Sequence, residues 1–288
     1  MTEGIYGVVG AGIMGCGIAT DLACRGKTVI VHDIAESALA AGPAAVRENA
    51  NLLRFSDGAF RAVRDEDVLG RIRFTREISD LAPATFVVEN VTENFQVKSN
   101  VYRDLGKICS TETVFAVNTS CVSITRVGSL VPNPARVVGM HFMNPVPMKK
   151  LIEVIRGYHT SDATIGRAKE LASVIAKEAV VVNDYPGFVT NRVMMLMINE
   201  CAYVVQDGVA SPADVDKIFR LGFAHKMGPL ATADLIGLDT ILQSVEVLYE
   251  SYNDSKYRPC PLLKKMVDAG LLGKKSGKGF FDYARQQR

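Results

Sequence analysis

The sequence predicts an α/β chain: a mostly parallel sheet with helices on both faces, followed by a smaller all-helical domain. Three observations predict it. A glycine-rich turn joins an apolar run to a helix-like stretch near the start. Short apolar runs then alternate with helical periodicity. Beyond Asp184-Tyr185-Pro186-Gly187 the strand signals nearly vanish. Strands alternating with helices make a parallel sheet covered on both sides. The 288 residues suffice for one large domain or two ordinary ones.

The first strand is the apolar run Ile5 to Val9. Gly10, Gly12 and Gly15 follow in G-x-G-x-x-G spacing, and a helix is expected over Ile13 to Arg25. Thr28 to Val31 is a second strand that leads to Asp33. Each part has a task if a dinucleotide binds. Gly10 permits a tight turn, Gly12 a close approach of backbone to pyrophosphate, and Gly15 close packing of helix on strand. Ile13 and Met14, at the helix start, offer N–H groups to phosphate charge. Asp33 is placed to accept from the adenosine ribose hydroxyls. Ile34 and Ala35 come next, so no arginine stands beside it to hold a 2′-phosphate. The expected cofactor is NAD rather than NADP, and the expected domain is Rossmann-like.

The remaining elements follow in turn. Ala35 to Leu53 reads as a helix, and Arg54 to Gly70 holds a short connecting one. Strands are expected at Arg71 to Thr75 and Thr85 to Glu89, a helix at Glu93 to Ile108, and a strand at Val114 to Val117. Ile124 to Leu130 is a short helix closed before Pro132. Arg136 to Met140 and Leu151 to Ile155 are strands, Ser161 to Ala176 is a capped helix, and Ala179 to Val182 is the last strand. Past the boundary, helices are expected at Phe188 to Gln206, from Ser211-Pro212 to about Leu221, at Thr240 to Tyr252 and at Pro261 to Ala269. This gives a nucleotide-binding domain over 1–183 and a helical domain of five or six helices over 184–288.

Composition narrows the function. Apolar residues make up 48% and charged residues 22%, which suits a folded core. A net charge of +2 gives no sign of a nucleic-acid or membrane role. No apolar run reaches spanning length, and the start lacks the layout of a signal peptide. The six cysteines form no C-x-x-C pair and suit a reduced cytoplasmic protein. No pair among the four histidines has zinc-ligand spacing, so no metal is expected.

The residues able to do chemistry gather at strand ends, where open α/β sheets bind ligands. His141 follows the run Val137 to Met140, and Glu153 lies inside the next strand. A glutamate between Ile152 and Val154 is costly to bury unpaired. Neighbouring strands can set it against the imidazole, fixing the tautomer and raising basicity. A buried, hydrogen-bonded histidine with an edge-strand glutamate fits the same pattern. Ser120, after strand Val114–Val117, is either a site hydroxyl or a helix cap. Asn191 stands just past the domain boundary. Glu93 and Lys98 follow strand Thr85–Glu89 and read as surface charges or as ligand contacts. Asn118 directly follows its strand and is grouped with the cofactor contacts.

Taken together, GAGIMGCGIA, VVENVTENFQVK, NTSCVSIT, HFMNPVPMKKLIEVI, DYPGFVTNR, MGPLATADLIGLD and GKKSGKGFFDY resemble the short, monofunctional 3-hydroxyacyl-CoA dehydrogenases along essentially the whole chain. The resemblance implies oxidation of the 3-hydroxyl of an acyl thioester, or the reverse, with NAD or sometimes NADP. It implies a dimer formed through the helical domain. It makes His141 the catalytic base and Glu153 its orienting partner. Ser120 and Asn191 become polar residues near the substrate oxygen, and Glu93 and Lys98 residues near the cofactor and the thioester carrier.

Four positions depart from the family pattern: Asn90 for alanine, Cys121 for serine, Cys260 for histidine and Lys226 for proline. The segment ENANLLRFSDGAFRAVRDED also has arginines but no lysine, where relatives that take coenzyme A usually carry lysines. The first expectation is therefore a hydroxyacyl-CoA substrate. The alternative is a hydroxyacyl group on an acyl carrier protein, as in relatives that make polyketide extender units, met by basic surface such as Lys149, Lys150, Lys264 and Lys265. A non-catalytic NAD-binding protein is the reading from another class.

Overall fold

The computed structural model describes residues 4–283. The chain forms two compact units, divided after Tyr185. The first holds one eight-stranded sheet built from β1 (Ile5–Val9), β2 (Val29–His32), β3 (Ile72–Thr75), β4 (Ala84–Glu89), β5 (Val114–Val117), β6 (Val137–Phe142), β7 (Leu151–Arg156) and β8 (Glu178–Asn183). Their order across the sheet is β3-β2-β1-β4-β5-β6-β7-β8. Six helices connect them: α1 (Ile13–Cys24), α2 (Glu36–Ser56), α3 (Asp65–Leu69), α4 (Phe95–Ile108), α5 (Ile124–Gly128) and α6 (Asp162–Val174). The expected α/β class is the one observed. β1 and β4 are neighbours, so the strand order reverses beside the glycine turn, where such folds take dinucleotides.

All pairings are parallel except β6 with β7. The connection between those two, residues 143–150, is too short for a crossover, which needs roughly a dozen residues or more. The chain must turn back, and the register sets His141 directly opposite Glu153. Gly139 lets this pair of strands close up. A Cβ there would stand 2.7 Å from Ile155 Cβ and 2.8 Å from Ile124 Cδ1. The turn between the strands is tied down from below. Lys177 Nζ donates to the carbonyls of Val146 and Lys149 at 2.7 and 2.8 Å and lies 2.9 Å from the buried Asp21 carboxylate.

Two boundaries differ from expectation with a cause. His141 lies inside β6 rather than after it, because pairing with β7 extends the strand through Phe142. Glu93 lies outside α4, because the Asn94 side chain accepts from Gln96 and Val97 N–H and starts the helix at Phe95. Lys98 is a larger correction. It is not a surface charge: its side chain is wholly buried, on the same helix face as Tyr102 and Leu105. Its ammonium donates to both Glu89 carboxylate oxygens at 2.9 and 3.0 Å and to the Asn118 carbonyl at 3.1 Å.

The second unit contains α7 (Thr190–Gln206), α8 (Pro212–Gly222), α9 (Pro229–Ile236), α10 (Leu238–Tyr252) and α11 (Pro261–Asp268). Ile198, Ala202, Leu238, Ile241, Val245 and Leu248 form its core. Helix α9 is an element for which the sequence predicts no range, although five or six helices are expected in this domain. Asp216 makes it possible, accepting from Leu230 and Ala231 N–H at its start. Asp234 within α9 then accepts from Phe280 N, Phe281 N and Tyr283 Oη, fixing the glycine-rich tail.

The buried Lys98–Glu89 pair yields a stability prediction. Lys98→Met strands a carboxylate in the core and should lower unfolding free energy by about 3–5 kcal/mol. Adding Glu89→Gln should restore much of that loss. Urea unfolding followed by circular dichroism checks it; a Lys98→Met variant as stable as the parent would contradict the pairing.

Candidate active site

The glycine turn is built as the sequence implies. Gly10 has φ +97°, and a Cβ on it would press on the Asn90 carbonyl at 2.8 Å. A Cβ on Gly15 would stand 1.8 Å from the Gly10 carbonyl oxygen, so only glycine lets α1 start this close to β1. Gly12 is different: a Cβ there would meet nothing within 4 Å. The space above it is open, as a pyrophosphate would require. Gly12 caps α1 without any side-chain bond, and no acid stands in the first turn. The N–H groups at Ile13 and Met14 therefore open onto that space with an uncompensated helix dipole. Asp33 is held rigidly. Its Oδ2 accepts from Ala11 N at 2.7 Å and its Oδ1 from Ala35 N at 2.8 Å. Each oxygen keeps a lone pair for a ribose hydroxyl. These residues fit a dinucleotide.

Strand pairing brings an arginine to this corner that chain order does not show: Asp33 N donates to Thr75 O across β2 and β3, and Arg76 is the residue after Thr75.

A second polar cluster lies farther along the sheet, at β5, β6 and β7. His141 Nδ1 lies 2.8 Å from Glu153 Oε2, and both side chains are buried. A carboxylate can only accept, so in the neutral ring Nδ1 carries the proton and Nε2 is an acceptor. Ser120 Oγ lies 3.2 Å from that Nε2. Ser120 is not the cap of the next helix: Ser123 does that, accepting from Arg126 N.

The loop that presents Ser120 is fixed by Glu93. One carboxylate oxygen accepts from Ser120 N at 2.9 Å, from Cys121 N at 3.1 Å and from the Thr119 hydroxyl. Its other oxygen lies 3.7 Å from Lys98 Nζ. Burial pushes the Glu93 carboxyl up, but Lys98 and those three donors outweigh it and hold it below its ordinary range. Burial likewise pushes Glu89 up, opposed by the Lys98 ammonium. Lys98 thus stands beneath the Ser120 loop and spends its three N–H groups on protein oxygens; the expected direct contact with a ligand does not fit that burial.

Asn118 is also structural on one side. Its Oδ1 accepts from Phe142 N at 3.2 Å and its Nδ2 donates to Asn90 Oδ1 at 2.7 Å. It therefore ties the end of β5 to the residue after His141. Asn90, one of the departures from the family pattern, is a member of this network and also donates to Val88 O. Cys121, another departure, has its thiol pushed up to about 12 by burial and the nearby Glu93. It is no nucleophile at neutral pH. Asn191 is the second residue of α7 in the other unit and is buried. Among the described residues, no cluster of three or more His, Cys, Asp or Glu could hold a metal ion, and no helix is long and apolar enough to cross a membrane.

Known proteins match this arrangement over the whole chain. Residues 6–185 match the family model described as 3-hydroxyacyl-CoA dehydrogenase, NAD binding domain, and residues 187–283 match the C-terminal domain of the same family. A Deinococcus radiodurans protein named probable 3-hydroxybutyryl-CoA dehydrogenase is 47% identical over 278 residues, covering 96% of this chain and 99% of the relative. A Bradyrhizobium diazoefficiens 3-hydroxybutyryl-CoA dehydrogenase is 42% identical over 280 residues, covering 96% and 94%. The crystal structure of (S)-3-hydroxybutyryl-CoA dehydrogenase PaaH1 from Ralstonia eutropha has a TM-score of 0.90 at 40% identity, covering 97% of this chain and 99% of that one. With a glycine turn fit for NAD, a carboxylate-held histidine, and both domain models matched, the chain belongs to the 3-hydroxyacyl-CoA dehydrogenase family.

Proposed function

We propose that this chain oxidises the 3-hydroxyl of a short 3-hydroxyacyl-CoA with NAD, or runs the reverse reduction. The observation that carries the reading is the His141 imidazole, held at Nδ1 by Glu153 and met at Nε2 by Ser120. A hydroxyl placed within reach of Nε2 finds a base with its lone pair already aimed. Transfer of the hydroxyl proton to Nε2 keeps charge from building on oxygen as the ketone forms. The imidazolium so made is stabilised by the buried Glu153 carboxylate. NAD, held by Gly10, Gly12, Ile13, Met14, Gly15 and Asp33, supplies the hydride acceptor when bound.

Ser120 is the proposed donor to the substrate oxygen and Asn191 a further polar contact. Glu93, Lys98 and Asn118 act as positioning residues for the Ser120 loop. Such fixing matters because a loose site loses rate steeply. The relatives reported above are named for coenzyme A thioesters, which supports free hydroxyacyl-CoA. Nothing found supports the carrier-protein alternative. The paired histidine and glutamate speak against a non-catalytic role.

The second unit is proposed to pair with a second copy of the chain. On and just after α8 it leaves Ile218, Leu221 and Phe223 exposed, large apolar side chains that gain from burial. A cytoplasmic setting is consistent with six free cysteines.

His141→Gln should leave NADH binding nearly unchanged and cut NADH formation from 3-hydroxybutyryl-CoA by about 10²-fold or more. Undiminished turnover by the purified variant would remove His141 from the mechanism. Light scattering should give twice the 31.2 kDa chain mass; a monomer mass would dismiss the pairing.

A further inference from the structure

We propose that Glu36 is a cofactor-specificity residue: it neutralises Arg76, a cation placed to take a 2′-phosphate, and so keeps the chain selective for NAD over NADP. The inference rests on NAD binding at the glycine turn as proposed above.

Three observations place Arg76. Register pairs His32 with Thr75, and Asp33 N donates to Thr75 O at 3.2 Å. The residue after Thr75 therefore sits beside the ribose-binding carboxylate. Arg76 Nη1 then lies 3.8 Å from Glu36 Oε2.

Glu36 is the first residue of α2, whose cap, Ala35, gives no side-chain bond. The corner thus contains two carboxylates, Asp33 and Glu36, one guanidinium and the N-terminus of a 21-residue helix. Those three side chains sum to minus one, and Glu77, next to Arg76, adds a further negative charge nearby. Neutral ribose hydroxyls are tolerated there, whereas a 2′-phosphate, close to a dianion, is repelled. Glu36 occupies both features that would otherwise welcome a phosphate: the helix N-terminus and the guanidinium. Arg76 and Glu36 side chains are 61% and 86% exposed, so replacing Glu36 leaves no buried charge unpaired. Removing Glu36 should turn Arg76 into a phosphate ligand without rebuilding the fold.

The test is direct binding of NADH and NADPH to the full-length protein, by nicotinamide fluorescence, at low salt. Glu36→Gln should tighten NADPH binding by about 10- to 100-fold, the worth of a charge-assisted bond, with NADH little changed. The double variant Glu36→Gln/Arg76→Ala should lose that gain, and the gain should shrink as salt rises. Two results would overturn the proposal: NADPH affinity unmoved by Glu36→Gln, or a gain that survives Arg76→Ala. If the parent protein binds no NADH at all, the cofactor reading beneath the proposal fails instead, and the proposal falls with it.

Discussion

The β6–β7 hairpin is the constraint on which the site depends. Its connection is too short to cross over, so the strand must run back antiparallel. Antiparallel register then places His141 and Glu153 as directly opposed residues on one face of the sheet. Gly139 allows the approach, and Lys177 holds the turn from beneath. A one-residue slip would send Glu153 to the other face and take the carboxylate away from the imidazole. Here the placement of a base follows from loop length and strand pairing.

The same unit buries two ion pairs. Lys98 and Glu89 are both fully inside, and Asp21 with Lys177 forms a second such pair. Pairs of this kind stabilise weakly at best, because desolvation offsets most of their attraction. Their consequence here is geometric. Lys98 grips the Asn118 carbonyl and stands beside Glu93, and Glu93 gathers the N–H groups of Ser120 and Cys121. Asn118 carries the same order across to Phe142. The serine and the histidine are thus set by one connected polar network.

What could be read in the sequence was what chain order encodes. The glycine turn and Asp33 form a contiguous unit, and the structure keeps them as written. His141 and Glu153 were legible because a glutamate inside an apolar strand needs a partner. Lys98 was misread although a signal existed: it shares helical spacing with Tyr102 and Leu105, which marks the buried face of α4. Helix α9 was hidden by glycine and proline at its ends, and its cap comes from Asp216 on another helix. Arg76 near the end of β2 is not visible in chain order, since only the pairing of β2 with β3 brings it there.

The most direct measurement of the central claim concerns Glu153 rather than the histidine itself. Glu153→Gln retains the size of the side chain but removes the charge that orients and stabilises the imidazole. The rate of NADH formation from 3-hydroxybutyryl-CoA should fall by about 10²- to 10⁴-fold, with NADH affinity held. A variant that turns over at the parental rate would show that the carboxylate facing His141 is only part of the scaffold.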